Sequence, residues 1–299
     1  MSKADKQSLL AIPIVLLIAL GIAWAGSQGG YTAAGLPVFA TGVGLAFIIQ
    51  WLAFIPACLK QTESFYDLIG SLTYITLIFL SLLLTPELDT RSWILSGMVL
   101  IWAVRLGSFL FTRIRSAGGD RRFREIKKSF PRFLLAWTMQ GLWVAFTLAA
   151  ALAVITSLVK APMDFYATVG LLIWLSGFVI EVIADQQKRN FHANPENKDK
   201  FIRSGFWSRS RHPNYFGEIV LWIGVAIVAL PVLRGWQWLT LISPLFVAIL
   251  LTRISGIPIL EAYADQKWGG QPEYEAYKAA TPILIPGPPT RVQTSLPKN

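Results

Sequence analysis

Eight long apolar runs, joined by short polar connections, constrain this chain more than any other feature. They lie roughly at Leu9–Ala25, Leu36–Leu59, Leu68–Leu84, Ser92–Phe111, Phe133–Val159, Phe165–Ala184, Tyr215–Leu230 and Trp236–Leu251. Each approaches the ~20 residues that cross a bilayer core. Inside lipid every backbone N–H and C=O needs an internal partner, so runs of this kind must be helical. A length of 299 residues would allow two soluble domains. However, only 15% of the residues are charged and 54% are hydrophobic, against about 25% charged in ordinary soluble domains. The expected fold is an all-α, polytopic transmembrane helix bundle of seven or eight spans, forming one integral-membrane domain over residues 1–299. The last two runs are short enough to be broken or re-entrant. The first begins with Lys3 and Lys6, but it is longer than a signal-peptide core. Ala23-Trp24-Ala25 is also a poor cleavage site, so it counts as a span.

Charge gives the bundle a direction. Arg113, Arg115, Arg121, Arg122, Arg124, Lys127, Lys128 and Arg132 lie between spans four and five. Lys188, Arg189, Lys198, Lys200, Arg203, Arg209 and Arg211 lie between six and seven. The alternate connections hold only Arg91, Lys160 and Arg234. The positive-inside rule therefore places both termini in the cytoplasm. The net charge of +10 is then explained by topology and anionic lipid, with no nucleic acid partner.

Several chemistries are absent from the sequence. Cys58 is alone, which excludes a disulfide framework and a cysteine zinc site. His192 and His212 are too few and too separated for a histidine metal site, and no metal is expected. Neither a G-x-G-x-x-G nor a P-loop pattern occurs. The stretch after Pro286 is polar and Pro-rich, and 287–299 reads as a flexible tail.

Four constellations carry polar chemistry. Glu181 and Asp185 share one face at the end of span six, and Asp185 and Arg189 have the favourable i, i+4 order. A carboxylate one turn inside the hydrocarbon usually faces a cavity or a partner. The stretch from Ser204 to Glu218 is the most informative. Pro213 suits a first helical turn, with His212 as its cap. Asn214, Gly217, Glu218 and Leu221 then share a face, and Gly217 permits close backbone approach. Arg209 and Arg211 flank a helix start that attracts anions, so a phosphate-bearing ligand fits here. Third, Arg253 and Glu261 flank Gly256-Ile257-Pro258, which breaks the last helix. Fourth, Glu63, Tyr66 and Asp67 precede span three, while Arg105 lies deep in span four, where a lone arginine suggests a site. Each constellation also has a purely structural explanation: interfacial ion pairs, a helix start, or aromatic anchors.

The run Gly205-Phe-Trp to Arg211-His-Pro-Asn-Tyr-Phe-Gly-Glu218, with Ser255-Gly-Ile-Pro…Glu261 and Tyr274…Tyr277…Ile285-Pro286, resembles a bacterial branch of the steroid 5α-reductase superfamily. That branch is catalogued as a domain of unknown function of the DUF1295 type. The resemblance is dense over 177–286 and thinner over 67–113. It implies a bacterial inner-membrane bundle with a cytoplasm-facing NADPH pocket in its C-terminal half. It also implies hydride transfer to an activated C=C bond in a lipid-soluble substrate, aided by an acid near the substrate carbonyl. Carried over residue by residue, Asn214 and Glu218 match cofactor contacts, as do Asp185, Arg189, Arg253 and Arg105. Arg211 and His212 stand by the phosphates, and Tyr215 and Glu261 fall within the same set. Asp67 stands near the family's early Glu, with Glu63 and Tyr66 beside it as candidate catalytic groups. Trp102 replaces the family's Tyr.

A second family, the isoprenylcysteine carboxyl methyltransferases, shares Arg211–Gly217, Glu273–Tyr277 and Ile285–Gly287, which would imply S-adenosylmethionine. Its paired Glu-Glu is missing here, whereas Asn214, Glu218 and Asp185 favour the reductase. A non-enzymatic lipid-binding bundle is the third reading.

Overall fold

The computed structural model describes residues 1–117, 119–120 and 123–288. Arg121, Arg122 and the tail beyond 288 lie outside the described residues. The helices are α1 (Lys3–Gly26), α2 (Val38–Leu59), α3 (Tyr66–Leu84), α4 (Thr90–Ala117), α5 (Phe130–Ile155), α6 (Phe165–Ala193), α7 (Pro213–Ala229), α8 (Ile242–Ile249), α9 (Ile257–Trp268) and α10 (Pro272–Ala280). A minimal hairpin, β1 (Thr32–Ala33) with β2 (Leu36–Pro37), is turned by Ala34 and Gly35 at positive φ.

The all-α membrane bundle expected from the sequence is the observed fold. Among the described residues, seven segments are long and apolar enough to cross a bilayer, and α7, at 17 residues, is a shorter apolar helix. The last long segment, Gly235–Trp268, is broken as its sequence suggests. A 3-10 turn (Gly235–Leu241) leads into α8, a π turn (Leu250–Ile254) follows, and Ser255 and Gly256 precede α9. Pro258 lacks the N–H that would have continued the helix into α9.

The chain forms two compact units, Met1–Gly170 with Val225–Ser243, and Leu171–Gly224 with Pro244–Asn299. In the first, α5 is the axis: 83% of its span is buried, against at most 44% for the others. Its Ala149–Ile155 run is wholly buried, and α1, α2, α3 and α4 all pack on α5. Hydrogen bonds link these helices, from Gln50 Nε2 to Thr73 Oγ1 (2.8 Å), from Trp51 Nε1 to Thr138 Oγ1 (3.1 Å) and between Tyr74 and Thr147. Such bonds contribute about 0.6–2 kcal/mol each in lipid. The outward faces carry Leu10, Leu17, Leu20, Leu52 and Leu83, all exposed as lipid contact requires.

One end of this unit is closed by Arg91, which has no exposed surface. Its guanidinium donates to Val228 O (2.6 Å), Pro162 O (2.6 Å) and Ala161 O (3.5 Å), and pairs with Asp164 (3.0 Å). At the other end Asp5 accepts from Ser129 Oγ (2.6 Å) and faces Arg132 (3.6 Å).

Candidate functional site

The second unit is organised around a glycine crossing. A Cβ on Gly177 of α6 would fall 2.5 Å from Leu221 N and 2.6 Å from Gly217 O. A Cβ on Gly217 of α7 would fall 2.6 Å from Gly177 O and 2.7 Å from Glu181 N. The two helices therefore run antiparallel in backbone contact, a device open only to small residues. Gly217 does permit a close approach, and what approaches is the backbone of α6. Beyond the crossing, three residues before Gly217 and eight after Gly177, Asn214 Nδ2 donates to Asp185 Oδ1 (3.1 Å). Glu181, Asp185 and Glu218 are all buried, 2%, 6% and 7% exposed. The crossing thus gathers three carboxylates and an amide, groups that accept hydroxyl and amide N–H donors.

The loop before α7 is fixed on several sides. Phe206 N–H donates to Gln187 Oε1 (2.9 Å), and Trp207 Nε1 donates to Ala184 O (3.0 Å). Lys188 lies 4.5 Å from the Trp207 ring centroid. From beyond α10, Pro282 O accepts from Arg211 N–H (2.9 Å), Leu284 O accepts from Ser210 Oγ (2.7 Å), and Gly287 N–H donates to Arg209 O (3.0 Å). Tyr277 donates to Trp207 O (2.7 Å), and Tyr274 donates to Asp265 Oδ1 (2.9 Å). Burial pushes both phenols above their ordinary value, so they remain donors.

His212 caps α7 as the sequence suggests, its carbonyl accepting from Phe216 N–H (3.1 Å). Glu261 of α9 binds both Arg211 Nη1 and His212 Nε2, the latter at 2.7 Å. An ionised carboxylate only accepts, so Nε2 carries the proton and Nδ1 keeps its lone pair. Burial pushes the imidazole below its ordinary value even with Glu261 beside it, which favours this neutral form. Nδ1 is buried without a hydrogen-bond partner, and the ring stacks on Tyr215 at 5.7 Å.

Not every expected residue joins this cluster. Arg189 is exposed and donates to Gln186 Oε1 (2.5 Å) on its own helix. Arg253 is exposed on the π turn. Glu63, Tyr66, Asp67 and Arg105 belong to the first unit. Glu63 is buried and accepts from Lys127 Nζ (2.7 Å) and Asp120 N–H (3.0 Å). Burial works against its ionisation, but these two donors hold the carboxyl below its ordinary range. Tyr66 donates to Ala136 O (2.9 Å) and packs on Phe123 and Trp137. Asp67 is half-buried in the first turn of α3, and Arg105 lies 5.2 Å from the Phe109 ring centroid. Trp102 is buried edge-on to Tyr74 (5.0 Å). Sequence reasoning missed Gly177 and Gln187. A glycine four residues before a buried-span carboxylate was the available signal for the first, and nothing local marks the second.

Among curated proteins, the chain is similar to 3-oxo-5-alpha-steroid 4-dehydrogenase 1 of Rattus norvegicus, 32% identical over 118 residues, 39% of this chain and 40% of that protein. The Bos taurus protein of the same name is 29% identical over 117 residues, and the Mus musculus one 31% over 118, with the same shares. The chain thus matches about two fifths of the length of these relatives. No solved structure matches it. Residues 53–281 match the family described as "Protein of unknown function (DUF1295)". That match covers most of the chain, which therefore belongs to the DUF1295 family, a steroid 5α-reductase-like family of membrane proteins.

Proposed function

We propose that this protein is a membrane oxidoreductase that uses NADPH to reduce an activated C=C bond in a lipid-soluble enone or enal of steroid- or isoprenoid-like character. The observation that carries the reading is the pairing of Asn214 with Asp185 beside buried Glu218 at the Gly177–Gly217 crossing. The names of the curated relatives support the same chemistry. The donor set suits a dinucleotide. Asp185, Glu218 and the bare Nδ1 of His212 accept ribose hydroxyls and amide N–H groups, and exposed Arg189 and Arg253 offer charge to phosphates. When bound, the cofactor supplies the hydride. The protein's own part is to hold it by these groups and to keep an acid, proposed here as Asp67, near the substrate carbonyl. Glu63 and Tyr66, engaged with Lys127 and Ala136, hold the start of α3 in place beside it. We propose a bacterial inner-membrane location with both termini in the cytoplasm, a reading that the basic connections support.

The test is NADPH consumption by detergent-purified protein presented with a panel of enones and enals. Turnover of at least one, lost in Asp67→Asn at saturating cofactor, is the expected result. Full turnover in Asp67→Asn removes that residue's role, and no turnover across the panel counts against the reductase reading.

A further inference from the structure

The first unit holds a second polar site, at the end where its α1–α2, α3–α4 and α5–α6 connections meet. Tyr31 N–H donates to Thr156 O (2.7 Å) and Leu158 N–H to Gly29 O (3.0 Å), so two of these connections are joined. Beside them a cavity of about 260 Å³ is lined by Asp89, Thr90, Lys160, Ala161, Pro162 and Met163. None of these residues belongs to the proposed reductase machinery.

Asp89 and Lys160, opposite in charge, both line this cavity, and each keeps one buried polar atom with its hydrogen bonds unmade. Asp89 Oδ1 caps α4, accepting from Ser92 N–H (2.8 Å) and Oγ (2.6 Å), while Oδ2 is buried without a hydrogen-bond partner. Lys160 Nζ also lacks a hydrogen-bond partner and lies 5.6 Å from the Tyr31 ring centroid. Burial pushes the Lys160 ammonium below its ordinary value, with Asp89 and Glu87 opposing the effect. The neighbouring Arg91 and Asp164 are paired with each other, and Glu87 interacts with Tyr31. Buried charges without hydrogen bonds are costly, so a ligand that completes both would bind with a real gain.

The surroundings say what kind of ligand this is. Trp93, Leu158, Met163, Phe165 and Tyr166 around these connections are 43–75% exposed. Exposed aromatic residues at helix ends mark the headgroup level of a bilayer. We propose that this cavity binds the headgroup of a zwitterionic phospholipid bearing a primary amine, its phosphate on Lys160 and its ammonium on Asp89 Oδ2. A purely anionic headgroup would place negative charge against Asp89. A quaternary ammonium has no N–H for Oδ2, and the nearby Tyr31 ring already faces Lys160. The flexible lysine stem lets its ammonium turn from the ring to an incoming phosphate.

The test is native mass spectrometry of the full chain released from detergent. Phosphatidylethanolamine, phosphatidylglycerol and phosphatidylcholine of one acyl composition are compared with soluble phosphoethanolamine. Preferential retention of phosphatidylethanolamine by the wild type is expected, and Lys160→Met and Asp89→Asn should each weaken it roughly tenfold. Asparagine keeps the oxygen that caps α4, so Asp89→Asn separates ligand loss from misfolding. Equal retention of the three lipids, or undiminished retention in both variants, would overturn the proposal. Retention of soluble phosphoethanolamine equal to that of phosphatidylethanolamine would overturn the lipid assignment.

Discussion

Buried Glu218 and His212 are the most direct handles on the second unit. Glu218 is buried one position past the glycine crossing, and Glu218→Ala should lower NADPH affinity at least tenfold while the helical content stays unchanged. Titration of the purified variant with NADPH checks this, and unchanged affinity would remove Glu218 from the cofactor site. His212 makes stability depend on pH. Its folded value lies below the ordinary 6.5, so the unfolded chain binds more protons in the window beneath 6.5, and stability rises with pH there. The contribution is complete above 6.5 and is lost as the pH falls toward the depressed folded value. Thermal midpoints measured between about pH 5 and 7.5 should therefore fall on the acid side, and His212→Gln should flatten that limb. At this scale the sequence was only partly legible. The cap at His212 and the shared face of Asn214, Gly217 and Glu218 follow from helical spacing. The Glu261 pairings do not, because about fifty residues separate Glu261 from Arg211 and His212, and no periodicity links them. The spacing of Asp185 and Arg189 pointed to an ion pair, yet Arg189 meets Gln186, which offers an acceptor at the exposed surface.

The element that positions this chemistry is the crossing of α6 and α7. Side chains cannot enter it, because the nearest atoms to a new Cβ at Gly217 are backbone atoms that cannot rotate away. Gly217→Val should cost about 1–3 kcal/mol as the helices are forced apart, read as a lower thermal midpoint together with weaker NADPH binding. A fully stable Gly217→Val protein would show that the contact is not needed. The long helices were legible from length and hydropathy alone, since lipid permits no other conformation. Their ends were not: α6 runs on to Ala193 because its polar last turns continue the helix beyond the apolar run. The helices α9 and α10 have no long apolar run to reveal them, and only Pro258 and Pro272 in their first turns hint at where they start.

For the whole molecule, the sequence pattern predicts a bundle with two chemically different ends. Arg91 and Lys160, cations of the sparse connections, lie at one end, and Lys127, Lys128 and Arg132 belong to the connection at the other. Arg91 holds the sparse end together through three carbonyls and Asp164. Arg91→Met would remove the donor from these carbonyls and the cation from Asp164, which keeps only backbone donors such as Ala167 N–H (2.9 Å), and should destabilise the protein by about 3–5 kcal/mol, measurable as a large fall in its thermal midpoint in detergent. The division into two compact units was not legible, because α6, α7 and α8 each contribute to both and no change of composition marks the boundaries. The second unit is proposed to hold a nicotinamide cofactor. The direct measurement is equilibrium binding of NADPH, NADH and S-adenosylmethionine to the purified protein, side by side, in wild type and in Glu218→Ala. Saturable NADPH binding that Glu218→Ala weakens is the predicted result. Preferential binding of S-adenosylmethionine, or binding of none of the three, would contradict it.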